Sequence, residues 1–357
     1  MIIQPRELED FLRRILQGMG SNADEAAVVA EHLVEANLRG HDSHGAFIVD
    51  FYKNCLDAGA LQPNAELTRL RGNGGSFQGE GSFLWFDGNR GYGQRLAREA
   101  LAEAIVVAGG TGVAVMGLRN SHHIGRAGAY AEQAAAAGLI SLIFINTLEF
   151  PPRVTPFGGK EPRLMTNPIA FGAPRRHGAP LILDFATSAV ALGKVEVARN
   201  KGLRLPPGSI VDGQGRATTD PNDLFGNDAR GNSPGAILPF GGHKGYGLLL
   251  FCELLAGALT GGDTARTIDR QTQGCRNNML VALINPEYLG AAAYAEEMQR
   301  YLDYITATAP ADPDFPVMLP GDVELRTLAR RSSEGIRFDD RSWNGVLRVA
   351  DSVGVSR

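Results

Sequence analysis

Three cysteines in 357 residues, Cys55, Cys252 and Cys275, are too few and too scattered for a disulfide framework or a thiolate zinc site. No apolar run approaches the roughly 18 residues that span a bilayer. Charge of one sign is also missing. A net charge of -4 gives no reason to expect nucleic acid or an anionic membrane as a partner. The opening MIIQPRELEDFLRR reads as an amphipathic helix and not as a basic-then-apolar leader, so a cytoplasmic location is expected. A further absence bears on function. The G-x-G-x-x-G signature of a Rossmann dinucleotide site does not occur; AGGTGVAV comes closest and lacks the third glycine.

Glycine, by contrast, is abundant: 45 of 357 residues, against an average near about 7%. The glycines follow no repeat period and gather around polar clusters, GHDSHG, SHHIGRAG, PFGGKEP and PFGGHKGYG. Such crowding fits tight turns and close approach of backbone to a ligand.

The hydrophobic pattern gives an outline. Leu8, Phe11, Leu12, Ile15 and Leu16 share a helical face; a second helix carries Ala26, Val29, Leu33 and Ala36, capped by Ser21 or Asn22 and stopped at Gly40. GHDSHG therefore falls in a turn. Further on, helices over 94–108 and 130–137 alternate with strands over 113–118 and 139–146, followed by short strands at 169–172 and 181–184. KGYGLLLFCELLAGALTG reads as one long apolar helix, 279–284 as a buried strand and 291–305 as a final helix. The expected fold is α+β: a helical lobe from both termini (1–75 with 291–357) and a central mixed, largely antiparallel sheet lobe (76–290).

The densest reactive cluster is His41, Asp42, Ser43 and His44. One imidazole there suits proton transfer near neutral pH; the bland alternative is a pair of turn histidines with Asp42 and Ser43 bonded to local backbone. A metal site built from His41, His44 and one of His122, His123 or His243 is the weaker reading, because H-x-x-H alone is a poor signal. That reading would make the chain a metal-dependent hydrolase. Arg126 of SHHIGRAG and Lys244 of GGHKG each open a helix, where backbone N–H groups favour an anion. Asp184 ends the apolar run PLILD and either orients a histidine or caps the next helix.

Together GHDSHG, SHHIGRAGAYAEQAAAAGLI, PFGGKEPRLMTNPIAFGAPR, LILDFATSAVALGKV, LPPGSIVDGQG, ILPFGGHKGYGL and LPGD resemble the type 2 malate/L-lactate dehydrogenase family, over about residues 5 to 350. The resemblance implies a non-Rossmann fold whose sheet lobe binds NAD or NADP, a 2-oxo or 2-hydroxy acid substrate and a homodimer. It makes His44 the proton donor and Asp184 the acid that partners it or holds the nicotinamide side. It places the cofactor on Gly125, Arg126, Ala127, Thr166, Asn167, Ile182, Leu183, Asp184, Phe185, Ala186, His243, Lys244, Asn277, Gly321, Asp322, Val323 and Glu324, and it implies no metal. Cyclic imino acids and diketo acids are substrates elsewhere in the family. A silent relative would need a missing catalytic residue, and His44 and Asp184 are both present. Around the substrate stand Ser43, Arg126 and Ile48. Many members carry at the last position an Arg that binds the carboxylate. With Ile48 there, Arg126 or Arg153 is expected to serve the acid, and Phe47 and Ile48 favour a less polar substrate side.

Overall fold

The computed structural model describes residues 1–70, 81–200, 202–225, 235–268, 271 and 274–356. The lobe boundary expected near 75–76 lies outside them.

The chain opens with a two-residue strand, β1 (Ile2–Ile3), and helix α1 (Pro5–Gly18). Pro5 at the first helical turn needs no N–H partner, and the expected stripe from Leu8 to Leu16 is buried. In α2 (Ala23–Leu38) the cap is Asn22, whose side chain accepts from the Glu25 N–H at 2.8 Å. Two short 3-10 turns, 42–44 and 46–48, lead into α3 (Val49–Asp57). The apolar faces of these helices form one core with Trp343, Val346 and Val349 from the far end of the chain.

The middle of the chain supplies β2 (Thr68–Arg69), β3 (Phe83–Asp87), α4 (Gly93–Thr111), β4 (Val113–Ser121), α5 (Gly128–Ala136), β5 (Ile140–Glu149), β6 (Pro168–Ala173) and β7 (Leu181–Ala186). Then come α6 (Leu192–Asn200), β8 (Ile210–Val211), β9 (Ala217–Thr218), α7 (Asn222–Phe225), β10 (Ala236–Ile237), α8 (His243–Cys252) and β11 (Cys275–Ile284). Seven strands form the main sheet in the order β2-β3-β4-β11-β5-β6-β7. Only β3 and β4 run parallel; the other pairs are antiparallel. A Rossmann sheet is all but wholly parallel, so this is a different mixed α/β architecture. The central strands are buried because α4 and α5 cover one face, giving a second core of Leu101, Met116, Tyr130, Ile143 and Val281. A third apolar cluster, with Val154, Val195, Ile210 and Leu249, gathers the β8–β10 region around α6 and α8.

The chain ends with α9 (Ala291–Thr306), α10 (Asp322–Glu334), β12 (Ile336–Arg337) and α11 (Asp340–Ser352). Strand β12 pairs antiparallel with β1, which ties the two termini into the helical core, while α9 contributes no residue to that core.

The long helix expected after Lys244 is interrupted. After Cys252 the turns widen into a π-helical segment, Glu253–Ala258. Its first residue, Glu253, is buried and accepts from Ala265 N–H at 2.7 Å and Asn167 Nδ2 at 2.6 Å. No described helix is long and apolar enough to cross a membrane.

Candidate active site

Three loops meet where the helical and sheet cores join. The first is 41–48. Asn37, buried at the end of α2, accepts from Ala46 N–H at 2.8 Å and donates to Asp42 Oδ1 at 2.7 Å. Arg331 of α10 clamps both Asp42 oxygens, at 2.6 and 3.0 Å. Gly45 is required by this arrangement, since a Cβ there would collide with the Asn37 amide. The turn therefore holds His44 on a stiff base. Ser43 Oγ lies 2.9 Å from His44 Nδ1, and His41 Nε2 lies 3.5 Å from Glu324 Oε1.

The second loop is 121–128. Asn277 of β11 accepts from Ile124 N–H at 3.0 Å and donates to Thr147 Oγ1 at 2.9 Å, so it braces the loop. His123 stacks on His44 with ring centroids 5.4 Å apart, and its Nδ1 lies 2.8 Å from Tyr52 Oη, which accepts from Gln94 Nε2 at 2.6 Å. His122 turns the other way, stacked on Phe51, fully buried and with neither ring nitrogen hydrogen-bonded. Gly125 takes φ +73° and passes so close to His32 that a Cβ would strike its ring. The Arg126 N–H donates to that ring at 2.9 Å.

The third loop follows β7. Asp184 Oδ2 accepts from Gly128 N–H at 2.7 Å. It thus caps a helix, but α5 across the site, not the one that follows it in sequence. No hydrogen bond joins Asp184 to His44; the nearer partner of the imidazole is Ser43, and Asp184 acts through its charge.

Burial pushes the His44 pKa down to about 4, Asp184 opposes that shift, and His41 and Arg126 add to it. His32 and His122 are each pushed down by burial to about 3, and His123 lies well below its ordinary value for the same reason. The four imidazoles are neutral in the folded protein at pH 7. Among the described residues no group of three or more His, Cys, Asp and Glu is placed to hold a metal ion.

Arg126, Ile182, Asp184, Gly321 and Glu324 line a small common cleft of about 60 Å³, and two of them, Asp184 and Arg126, act on His44 through their charge. The Arg126 guanidinium is 2% exposed and engages Glu132 at 3.2 and 2.6 Å. Asp322 accepts from Leu319 N–H at 2.7 Å and shapes the turn before α10. Ala127 is buried, whereas Leu183 and Val323 are exposed; Phe185 packs edge-on to Phe240. Ala186 pairs with Pro168 at the end of the sheet. Asn167 is buried against Glu253 and Thr166 accepts from Thr187 through its carbonyl, so both serve the frame of the sheet. His243 and Lys244 lie apart from the histidine cluster, exposed at the start of α8 with His243 edge-on to Phe157. Ile48 is 9% exposed and packs in the helical core. Tyr52, Gln94, His32 and Glu253 are the residues that sequence reasoning missed. Only Tyr52 carried a signal, its place on the inward face of α3 between Val49 and Cys55.

An imidazole such as His44 is chemically able to exchange a proton, and the recess with Arg126, Asp184 and Glu324 is lined by charge. Comparisons with known proteins place the chain in a family. A family model described as malate/L-lactate dehydrogenase matches residues 3–347. Hydroxycarboxylate dehydrogenase B of Escherichia coli is 39% identical over 351 residues, covering 98% of this chain and 93% of that one. L-lactate dehydrogenase of Cupriavidus necator is 38% identical over 358 residues, covering 100% and 99%. Among solved structures, sulfolactate dehydrogenase from Methanocaldococcus jannaschii superposes with a TM-score of 0.86 at 31% identity, covering 100% of this chain and 98% of that one. The chain belongs to the malate/L-lactate dehydrogenase family and is a dehydrogenase acting on 2-hydroxy acids.

Proposed function

We propose that the chain interconverts a small 2-oxo acid and its 2-hydroxy acid with NADH or NADPH, and that His44 carries the proton. The observation behind this reading is the setting of His44: a half-buried imidazole on a rigid turn, Nδ1 against Ser43 Oγ, its pKa lowered to about 4 while the Asp184 charge opposes the shift.

With Nδ1–H given to Ser43 Oγ, Nε2 carries the free lone pair. A neutral His44 is then ready to take the proton of a 2-hydroxy group, and Asp184 offsets the charge the ring acquires. In the reductive direction Nε2–H returns that proton to the forming alkoxide. His123, neutral and tethered by Tyr52, keeps the His44 ring in its plane and excludes water from one side.

Bound reduced nicotinamide would supply the hydride. The residues fit such a group at two places. Gly242 leaves the first N–H groups of α8 without a side-chain cap, with Lys244 exposed beside them, which suits a pyrophosphate. Arg126, Ile182, Asp184, Gly321 and Glu324 border the cleft, and Asp184 reaches His44 through its charge, which suits the nicotinamide side. A homodimer belongs to the same proposal. It is supported by Leu250, Phe251, Leu254 and Leu259, exposed on one apolar stretch around the end of α8, and sedimentation measures it directly.

The test is loss of reduced-nicotinamide absorbance against pyruvate, oxaloacetate, hydroxypyruvate, phenylpyruvate, glyoxylate and a cyclic imino acid. Turnover of one oxo acid that vanishes in His44→Ala supports the reading. Turnover of the imino acid alone moves the substrate class; failure to bind either nucleotide overturns the reading.

A further inference from the structure

We propose that Arg153 is the residue that binds the substrate carboxylate; this rests on the function proposed above. A 2-oxo acid brings a full negative charge beside the reacting carbonyl, and a recess that strips its water must return a cation. The arginines nearest His44 are already engaged. Arg126 is held by Glu132, Arg39 lies between Glu35 and Glu132, and Arg331 clamps Asp42.

Arg153 differs from all three. Its backbone is fixed, N–H to Leu164 O at 2.9 Å and carbonyl from Ile237 N–H at 2.8 Å, so the side chain leaves from a rigid point. The side chain is half-buried, yet among the described residues its guanidinium has no hydrogen bond and no ion pair within 4.0 Å. Two carboxylates face it from further off, Glu149 and Glu196. Burial pushes the Glu149 carboxyl up, toward its neutral form, and Glu196 is exposed on α6. Neither closes the fork.

Its place is also right. Glu196 stands one helical turn beyond Gly193, and a Cβ on Gly193 would lie 3.5 Å from Ser43 Cβ, next to His44. Glu149 pairs with Cys275 on the strand whose Asn277 braces the loop of His123. The helix that carries Glu196 thus adjoins the loop of His44, and the strand paired with Glu149 adjoins the loop of His123. Two parallel N–H donors from a planar fork would fix both carboxylate oxygens and so orient the adjacent C2 carbonyl, which a lysine cannot do.

The experiment compares wild type, Arg153→Gln and Arg153→Lys on a 2-oxo acid that the wild type turns over and on the amide of that acid. Oxamate and NADH binding are measured alongside by fluorescence. Arg153→Gln is expected to raise KM for the acid by roughly 10- to 100-fold, the value of a charge-assisted pair, and to weaken oxamate to the same degree. Amide turnover and NADH affinity stay within about twofold, and Arg153→Lys falls between. If Arg153→Gln fails to fold, Arg153→Lys alone is expected to raise the acid KM by about 10-fold with no change for the amide. An acid KM unmoved in either variant overturns the assignment. So does an equal loss for acid, amide and NADH. A wild type that reduces no 2-oxo acid but binds oxamate through Arg153 overturns the function while keeping the anion site.

Discussion

The 41–48 loop and the start of α8 are alike as strings of letters: both are glycine-flanked, both carry histidine, and both adjoin a helix. The fold treats them oppositely. In the first, Asn37, Arg331 and Gly45 fix the backbone, Ser43 meets the imidazole, and burial sets its charge state before any ligand arrives. In the second, Gly242 leaves the helix uncapped and His243 and Lys244 face water. The contrast separates two kinds of work. Chemistry needs a group whose geometry and pKa are preorganised. Holding a charged ligand needs donors left free for it.

Substitutions sharpen this contrast, and the largest effect belongs to the preorganised side. His44→Ala should lower kcat by roughly 10²–10⁴-fold while NADH still binds, measured by turnover and by nucleotide fluorescence. Loss of binding and turnover together would erase the distinction between the loops. Lys244→Ala should do the reverse, weakening the nucleotide by about 10-fold with kcat at saturation preserved.

The pH response follows from the buried imidazoles. His44 is folded with a pKa of about 4, against 6.5 unperturbed, so kcat/KM for reduction should climb as pH is lowered from about 8 to 5, while that for oxidation stays level over this range and falls only as pH approaches 4. A pH-independent reduction rate would shift the proton to another group. Stability moves the opposite way to reduction. Neutral folded forms of His32, His44, His122 and His123 favour the native state fully above pH 6.5. As pH falls below that value the unfolded chain binds protons that the folded one refuses, at up to about 1.4 kcal/mol per pH unit for each imidazole. Denaturant midpoints between pH 7 and 5 measure the slope.

The smallest effect should come from His122→Phe. Both ring nitrogens are buried and unpaired, and the ring already stacks on Phe51. An apolar ring of similar shape should leave stability equal or raise it by about 1 kcal/mol and flatten the acid slope. A large loss of turnover in this variant would mean that His122, and not His123 alone, faces the substrate.

Much of this protein was legible in its sequence. The stripe from Leu8 to Leu16, the stop at Gly40, and the strands expected over 113–118 and 279–284, which run on to 113–121 and 275–284, follow from a helical or strand period interrupted by residues that end it. The polar clusters also marked themselves, because glycine crowded by histidine and charge is rarely wanted for packing alone. Pairing was decided elsewhere. Periodicity says which face a residue occupies, not which distant chain lies against it. That Asp184 caps α5 across the site, that Glu253 meets Asn167 at the start of the π turns, and that Tyr52 reaches His123 are facts of partners far apart in the chain. The same holds for the arginines. Arg126 and Arg153 read alike as candidates for a carboxylate; only the packed structure set Glu132 on the first and left the fork of the second open, because an ion pair is a matter of distance and distance belongs to the fold.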